Sequence, residues 1–218
     1  MANYCYNTIR VTGTKEAVGK IHNVLKECDK TSSLSVYDFL SAHGYTEKQL
    51  ETVDRRDYIN DFDPDISKST EQDKFYFDMT TESAWSPNLT MFFVLAKQKY
   101  EGQIKLCYIS EEQGNEIFQT NDPNGSIWAD KYYIDYRLDD ENVMGSAYFS
   151  YKEELVDFVR ENFNVECFVG DDLQSIANRI KHKYHVLNVP DYYCCIYEFE
   201  YDNNYYETEA EHYAGNRV

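Results

Sequence analysis

The sequence predicts an α+β fold in which antiparallel strands carry helices on one face. Residues 4–12 are rich in β-branched and aromatic side chains and stop at Gly13, as a strand does when it enters a turn. Residues 18–25 then repeat apolar side chains with the period of a helix that packs on a sheet. Later strand candidates are joined by short polar loops, which favour antiparallel pairing. Together these observations indicate the α+β class.

The first part of the chain predicts a strand, a helix and then an irregular segment. Thr14 precedes the helical stripe, and its side chain is suited to capping that helix. Residues 34–40 offer a short strand candidate. Residues 41–70 form an acidic insertion that we expect to be irregular and exposed.

The rest of the chain alternates strand and helix signals, and Pro87 suits the first turn of a helix. Turn residues at 112–114 and 122–125 separate the central strand candidates, which we expect to form an antiparallel meander. Strands are predicted over residues 74–80, 104–110, 116–120, 127–138, 143–151, 165–169 and 192–202, and helices over residues 91–96, 152–162 and 171–184.

Two domains are predicted, with the boundary at the acidic run Asp139-Asp140-Glu141. Residues 1–138 form the first, an α+β domain that contains the acidic insertion. Residues 139–218 form a smaller C-terminal α/β segment with the order strand, helix, strand, helix, strand. The length is also compatible with both parts packing as one unit.

The net charge of the chain limits the classes of molecule that can bind it. There are 39 Asp and Glu against 21 Lys and Arg, a formal net charge of -18, together with 21 Tyr and 12 Phe. Disordered acidic chains are poor in aromatic residues, so we expect a folded protein that carries its charge on the surface. Such a surface repels nucleic acid and acidic membranes and attracts basic protein grooves. The predicted partner is a basic host protein, such as a nucleic-acid-binding nuclease.

The beginning of the chain and its cysteines predict a cytoplasmic protein. The first six residues lack a basic segment followed by an apolar run, and no stretch approaches the ~18 apolar residues of a membrane span. Since nothing indicates export, the six cysteines are expected to be reduced and mostly buried.

No motif indicates an enzyme or a cofactor. The nucleophile-elbow, dinucleotide-binding and phosphate-binding glycine patterns are all missing from the sequence. Asp61, Asp63 and Asp65 have the alternate carboxylates of a calcium loop. Ile66 stands where that loop needs Gly, however, and Gln72 stands where it needs Glu. The sequence therefore predicts no metal at this cluster.

Two further clusters have structural interpretations that we favour. His182 and His185 lie three residues apart on a predicted helix, but zinc needs further ligands, so a solvated helix face is expected. Asp171 and Asp172 follow Gly170 and could be paired catalytic carboxylates. Acidic residues at a helix start are also what the helix dipole and the free amides favour, so capping is the preferred role.

The residues from Asn3 to Gly13, Asn-Tyr-Cys-Tyr-Asn-Thr-Ile-Arg-Val-Thr-Gly, resemble the Asn-Trp-Cys-x-Asn-x-Leu-x-Val-x-Gly start of the YubB-like, or Api-type, proteins of phages and plasmids. The segment Trp85-Ser86-Pro87 is similar to the Trp-x-Pro segment of that family. The resemblance covers about the first 125 residues and departs at Tyr4, where the family has Trp. It implies a ferredoxin-like α+β fold and a mobile-element origin, and it supplies no catalytic residues.

The signature residues of this resemblance also have a structural interpretation. Asn3 and Asn7 can bond backbone groups at a strand end, while Cys5 and Trp85 are expected to fill a core. The alternative makes Cys5 a nucleophile, which requires a His or cationic neighbour. None is near it in the sequence.

Residues 197–202 alternate aromatic and acidic side chains. Strand geometry puts Glu198, Glu200 and Asp202 on one face at intervals of about 6.6 Å, from a rise of roughly 3.3 Å per residue. This spacing is similar to that of successive phosphates, so the face could enter a basic groove as a nucleic-acid decoy. The alternative is a solvated face that serves only solubility. The predicted partner-binding residues are Glu198, Glu200, Asp202, Glu207, Glu209, Asp61, Asp63 and Asp65, with Glu211 continuing the acidic run.

Three functions remain open at the level of sequence. The first is a phage- or plasmid-borne inhibitor that engages a nucleic-acid-binding defence protein, such as a CRISPR effector or a restriction enzyme. The second is a non-enzymatic interaction or structural module of a mobile element. The third is an enzyme whose site is assembled from dispersed residues.

Overall fold

The computed structural model describes residues 4–30, 34–51, 53–138, 144–185 and 193–215. The chain forms two compact units, one from Met1–Asn121 with Tyr201–Val218 and the other from Asp122–Glu200. The larger unit is thus discontinuous in sequence, and the smaller unit is inserted into it. The predicted boundary at 139–141 lies outside the described residues. The inserted unit begins earlier because, in the described part of the chain, β-strand Tyr132–Arg137 pairs with two strands that follow it.

Ten strands and six α-helices occur in the described part of the chain. In chain order they are β1 (Tyr4–Gly13), α1 (Lys15–Asp29), α2 (Val36–Ala42), β2 (Tyr58–Phe62), β3 (Ser67–Lys68), β4 (Phe75–Ala84), α3 (Thr90–Tyr100), β5 (Ile104–Glu112), β6 (Ile117–Thr120), β7 (Tyr132–Arg137), β8 (Met144–Phe149), α4 (Lys152–Phe163), α5 (Leu173–His185), β9 (Tyr193–Glu198), β10 (Glu200–Tyr201) and α6 (Tyr205–Gly215). A short 3-10 helix spans Glu47–Gln49.

The sheet of the larger unit has seven strands in the order β10-β6-β5-β1-β4-β2, with β3 also paired to β4. The four consecutive strands β5-β1-β4-β2 are antiparallel to one another. Helices connect β1 to β2 and β4 to β5, which gives the ferredoxin-like order of strands and helices. The predicted α+β class is confirmed, and the smaller unit adds a second, three-stranded sheet.

One face of the larger sheet carries the core of its unit. In β1 the residues at alternate positions are buried, as a sheet with one covered face requires. Ile9 and Val11 pack in one cluster with Val18, Ile21 and Leu25 of α1. Thr14 caps that helix as predicted, since its hydroxyl accepts a hydrogen bond of 3.3 Å from the amide of Ala17.

The segment between α1 and β4 is more ordered than the sequence predicts. The strand candidate at 34–40 is a helix, α2, because the Ser35 hydroxyl accepts the Asp38 amide at 3.0 Å and so caps it. The acidic insertion, predicted to be exposed, buries Tyr45, Leu50 and Ile59 in the core of the larger unit. A few apolar residues within an acidic sequence are therefore enough to pack the insertion against the sheet.

The smaller unit is a β8-β7-β9 antiparallel sheet with α4 and α5. The two predicted helices are confirmed, but residues 165–169 are not a strand. The carbonyls of this segment accept hydrogen bonds from arginine side chains rather than from a neighbouring strand. Arg160 donates to the Cys167 carbonyl at 2.9 Å, and Arg179 donates to the Glu166 carbonyl at 3.1 Å. The predicted meander is also wrong, because β6 pairs with β5 in one sheet and β7 with β8 in the other.

The predicted strand over 192–202 is interrupted. β9 ends at Glu198, the two residues of β10 join the edge of the larger sheet, and α6 follows. Sequence patterns did not indicate α6, which packs Tyr206 and Ala210 into the core of the larger unit. Among the described residues, no helix combines the length and apolar character that crossing a membrane requires.

Candidate functional site

The sheet of the larger unit has a second face, opposite the helices. Residues that pair across strands project to the same side, so the register defines this open face. It includes the alternate positions of β1 from Tyr4 to Thr12 and their partners in β4 from Ala84 to Tyr76. Aromatic, acidic and hydroxyl side chains predominate there, in contrast to the apolar covered face.

Four side chains of the open face form a row across four strands. Glu82 of β4 pairs with Tyr58 of β2 on one side and with Tyr6 of β1 on the other, and Tyr6 pairs in turn with Glu111 of β5. We call these residues the tyrosine–carboxylate row. Neighbouring strands lie about 4.8 Å apart, so each aromatic ring stands beside a carboxylate. Tyr6 is 56% exposed and Tyr58 is 43% exposed.

Tyr6 and Glu82 interact directly. Partial burial, the charge of Glu82 and a hydrogen bond to Glu82 all raise the pKa of the Tyr6 hydroxyl above its usual value. The Tyr6 hydroxyl therefore stays protonated beside this carboxylate at neutral pH. No described lysine or arginine forms an ion pair with the Glu82 carboxylate.

The same face contains a second carboxylate beside an aromatic ring, and this one is neutralised. Arg10 of β1 donates two hydrogen bonds to Asp78 of β4, at 2.7 and 2.6 Å. Its guanidinium also lies 4.3 Å from the centre of the Tyr76 ring. The bond to Asp78 raises the pKa of Arg10, so the guanidinium stays charged. The chain thus fills one tyrosine–carboxylate pair with its own arginine.

A buried polar network holds the strands in register under the row. The Asn7 side chain donates to the hydroxyls of Thr81 and Ser83, both at 3.2 Å, and accepts from the Ser110 hydroxyl at 2.7 Å. These residues come from β1, β4 and β5, and all are buried. Buried polar groups that are mutually satisfied rigidify a structure. The expected structural role of Asn7 is therefore confirmed, though its partners are mainly side chains rather than backbone, while Asn3 lies outside the described residues.

Cys5 is part of this buried region and is not activated. Burial, and secondarily the charge of Glu112, raises the pKa of the Cys5 thiol to about 12. A nucleophilic cysteine needs the opposite shift, toward a stable thiolate. The structural role preferred for Cys5 is supported by its complete burial. None of the six cysteines forms a disulfide, and Cys28 and Cys195 are the two that are only partly buried.

Trp85 does not fill the core, contrary to the prediction. It is 47% exposed and has a left-handed backbone, with φ of 69°. This conformation is unfavourable for a bulky residue, so the surroundings must hold it. The Asn115 side chain donates to the Trp85 carbonyl at 2.8 Å, and the Ser83 hydroxyl donates to the Ser86 carbonyl at 2.8 Å. The turn leaves the indole about half exposed just after the end of β4.

The first group of predicted partner-binding residues lies around β2 and β4. Asp61 belongs to the open face, since it pairs with Thr80, and its carboxylate accepts the Phe62 amide at 2.8 Å. Asp63 is partly buried and accepts the Asp78 amide at 2.8 Å. Asp65 is almost fully exposed and lies 3.8 Å from Lys26. No cluster of three potential metal ligands occurs among the residues that the structure describes.

The predicted acidic ladder at 198–202 is not continuous. Glu198 ends β9, whereas Glu200 belongs to β10, and both side chains are exposed. The Tyr108 hydroxyl donates to the Asp202 carboxylate, which also accepts the Asn204 amide at 3.0 Å. Asp202 therefore joins the end of β10 to the core and starts the turn before α6. The Asp202 carboxylate is therefore hydrogen-bonded within the larger unit and does not align with Glu198 and Glu200.

The acidic residues after Asp202 lie on a helix, not on a continued strand. Glu207 is partly buried, accepts from Asn121 at 3.3 Å, and has a raised pKa because of burial. It lines a groove of about 260 Å³ between α3, β5 and α6. Glu209 is partly buried, and Glu211 forms an ion pair with Lys97 at 2.6 Å.

Asp172 and His182 have the structural roles that the sequence favoured. Asp172 caps α5, because its carboxylate accepts the Ser175 amide at 2.7 Å. The hydrogen bond from the Ser175 hydroxyl, followed by the one from the Ser175 amide, lowers the pKa of Asp172. Asp171 pairs with Arg179 at 2.5 Å. His182 is exposed on α5, and the side chain of His185 lies outside the described part of the structure.

The residues of the row were not selected from the sequence. Tyr6, Tyr58 and Glu82 come from three strands, and only the strand register brings them together. One signal was available, because Tyr4 and Tyr6 occupy alternate positions in a strand whose opposite face carries Cys5, Ile9 and Val11. Alternating tyrosines of that kind must lie on the face away from the core. Searches against protein-family models, curated proteins and solved structures each gave no match to the chain.

Proposed function

We propose that this chain is a non-enzymatic, acidic protein-binding module that docks the open face of its larger sheet on a basic protein surface. The single observation behind the proposal is the tyrosine–carboxylate row, which combines exposed aromatic rings with a carboxylate that has no cationic partner. Tyrosine is enriched in protein interfaces because its ring gives contact area and its hydroxyl gives a hydrogen bond. Solvated surfaces kept only for solubility do not require exposed aromatic rings.

The charge of the chain identifies the class of partner. A net charge of -18 repels phosphates, so the aromatic rings are unsuited to stacking on nucleic acid bases. The same charge attracts basic proteins over long distances and raises their rate of association. Proteins that bind nucleic acids present such surfaces. An inhibitor from a phage or plasmid that blocks a nucleic-acid-binding defence protein is the specific form of the proposal.

The decoy form of this function receives less support. It depends on Glu198, Glu200 and Asp202 as evenly spaced charges, and β9 and β10 belong to different sheets. Glu198 and Glu200 remain exposed and can still contribute to attraction. A surface whose charge serves only solubility is the alternative, and the exposed row argues against it.

The test compares two surfaces of the same chain. Bacterial lysate treated with nuclease is passed over the immobilised chain, over Tyr6→Ser/Tyr58→Ser/Glu82→Gln, and over Glu198→Gln/Glu200→Gln. Basic nucleic-acid-binding proteins should be retained by the native chain and by the second variant but lost from the first. Retention by the first variant and loss from the second would move the docking surface to the C-terminal carboxylates. Equal retention by all three, or none by the native chain, would leave solubility as the role of the charge.

A further inference from the structure

We infer that Tyr58, Glu82 and Tyr6 form a recognition site for an arginine side chain of a partner protein. This inference rests on the proposed function and specifies its chemistry. The starting point is the arrangement that the same sheet face makes with its own Arg10. That guanidinium binds both oxygens of Asp78 and lies over the ring of Tyr76. Planar, bidentate binding next to an aromatic ring is the characteristic geometry of arginine.

Glu82 repeats the position of Asp78 two same-face positions along β4, with Thr80 between them. Both residues lie in β4 and project to the open face, and each is paired across to β1. Asp78 faces Arg10, whereas Glu82 faces Tyr6. The carboxylate at Glu82 thus has an aromatic neighbour but lacks the internal guanidinium that Asp78 has. A guanidinium from outside the chain would complete the second arrangement in the way that Arg10 completes the first.

The aromatic residues on both sides distinguish arginine from lysine. Tyr58 and Tyr6 stand on the strands that flank β4, so their backbones are about two strand spacings, or roughly 9.6 Å, apart. A flat guanidinium bound to Glu82 can contact either ring with its face and still donate two hydrogen bonds. An ammonium can attract the carboxylate but offers no flat face. The site therefore favours arginine in an exposed basic segment of a protein.

The charged groups around the site agree with this assignment. Arg56 interacts electrostatically with Tyr4, but its guanidinium is bound to the Asp54 carboxylate at 2.8 and 3.2 Å. Glu111 adds a second negative charge at the far end of the row. Asp61, one step further along β2, adds a third. The face is thus acidic around Glu82, which favours the approach of a cationic side chain.

The test uses two peptides of equal charge. An acetylated and amidated hexapeptide of alternating glycine and arginine is titrated into the full chain, followed by the matching glycine–lysine peptide, and binding is measured by calorimetry and by the NMR shifts of tyrosine side chains. The arginine peptide should bind about fivefold more tightly, the size expected from one exposed cation–π contact of a guanidinium, since both peptides can form the ion pair. Glu82→Gln should remove that preference.

Glu71→Gln provides a matched control, because Glu71 is exposed in the turn before β4 and its substitution removes the same charge. It should leave the arginine preference intact. Tyr58→Leu should reduce the preference while keeping all charges, and circular dichroism checks that each variant folds. Equal binding of both peptides to the native chain, or an unchanged preference in Glu82→Gln, overturns the arginine site. Retention of basic proteins from lysate in that case would leave the proposed function in place.

Discussion

Replacing Tyr206 tests how strongly the C-terminal helix contributes to the larger unit. The Tyr206 ring is 5% exposed, stacks on Phe93 at 5.8 Å between ring centres, and meets Tyr108 edge-on at 5.3 Å. Its hydroxyl donates to the Pro87 carbonyl at 3.0 Å. Removal of a buried aromatic ring costs about 3 to 5 kcal/mol, so Tyr206→Ala should lower the free energy of unfolding by that amount. Tyr206→Phe loses only the hydrogen bond and should cost about 1 kcal/mol.

The neighbouring residue supplies the control. Tyr205 is 54% exposed and touches Tyr206 edge-on, so Tyr205→Ala should cost no more than about 1 kcal/mol. Urea unfolding followed by far-ultraviolet circular dichroism measures all three variants. The reasoning fails if Tyr206→Ala costs less than about 1 kcal/mol, because α6 would then not depend on this contact. It also fails if Tyr205→Ala is as costly as Tyr206→Ala, since burial would then not account for the difference.

Three further predictions follow from burial and charge. Burial raises the pKa of Asp57 to about 6, so the folded chain binds its proton more tightly than the unfolded chain, and this residue weakens stability as pH rises from 4 to 6. The free energy of unfolding of Asp57→Asn, relative to that of the native chain, should therefore rise by about 2 to 3 kcal/mol between pH 4 and pH 7 in urea titrations. If the free energies of the two proteins differ by the same amount at both pH values, the raised pKa is contradicted. In native buffer, iodoacetamide should label Cys28 and Cys195 while Cys5 reacts only after denaturation, as mass spectrometry can check. Duplex DNA should not shift in a gel at physiological salt, because the net charge is -18, and micromolar binding would refute this.

The fold class could be predicted because its signals are local. Thr14 caps α1, and the periodic apolar residues after it face the core, as expected from the sequence alone. The failures arose where a side chain competes with the backbone for hydrogen bonds. Ser35 caps a helix over residues that favour a strand, and two arginines replace the strand partner of residues 165–167. Such choices depend on contacts from other parts of the chain.

The candidate site was beyond prediction for a related reason. Alternation in residues 197–202 indicates one strand, but the chain leaves one sheet at Glu198 and enters the other at Glu200. The acidic residues that stand out in the sequence are thus divided, whereas Glu82 and its two tyrosine neighbours are inconspicuous there. Their proximity follows only from strand register, which depends on the Asn7 network and on long-range pairing.

The insertion of the smaller unit has a consequence for synthesis of the chain on the ribosome. Asp122–Glu200 is contiguous and can fold as soon as it emerges, whereas the larger unit must wait for Tyr201–Val218. The two ends of the insertion meet where the Asp202 amide donates to the Thr120 carbonyl at 3.1 Å. The last part to be translated therefore adds β10 to the sheet edge and Tyr206 to the core. Until then, the covered face of the sheet lacks α6, and the apolar residues that α6 will cover stay accessible to chaperones.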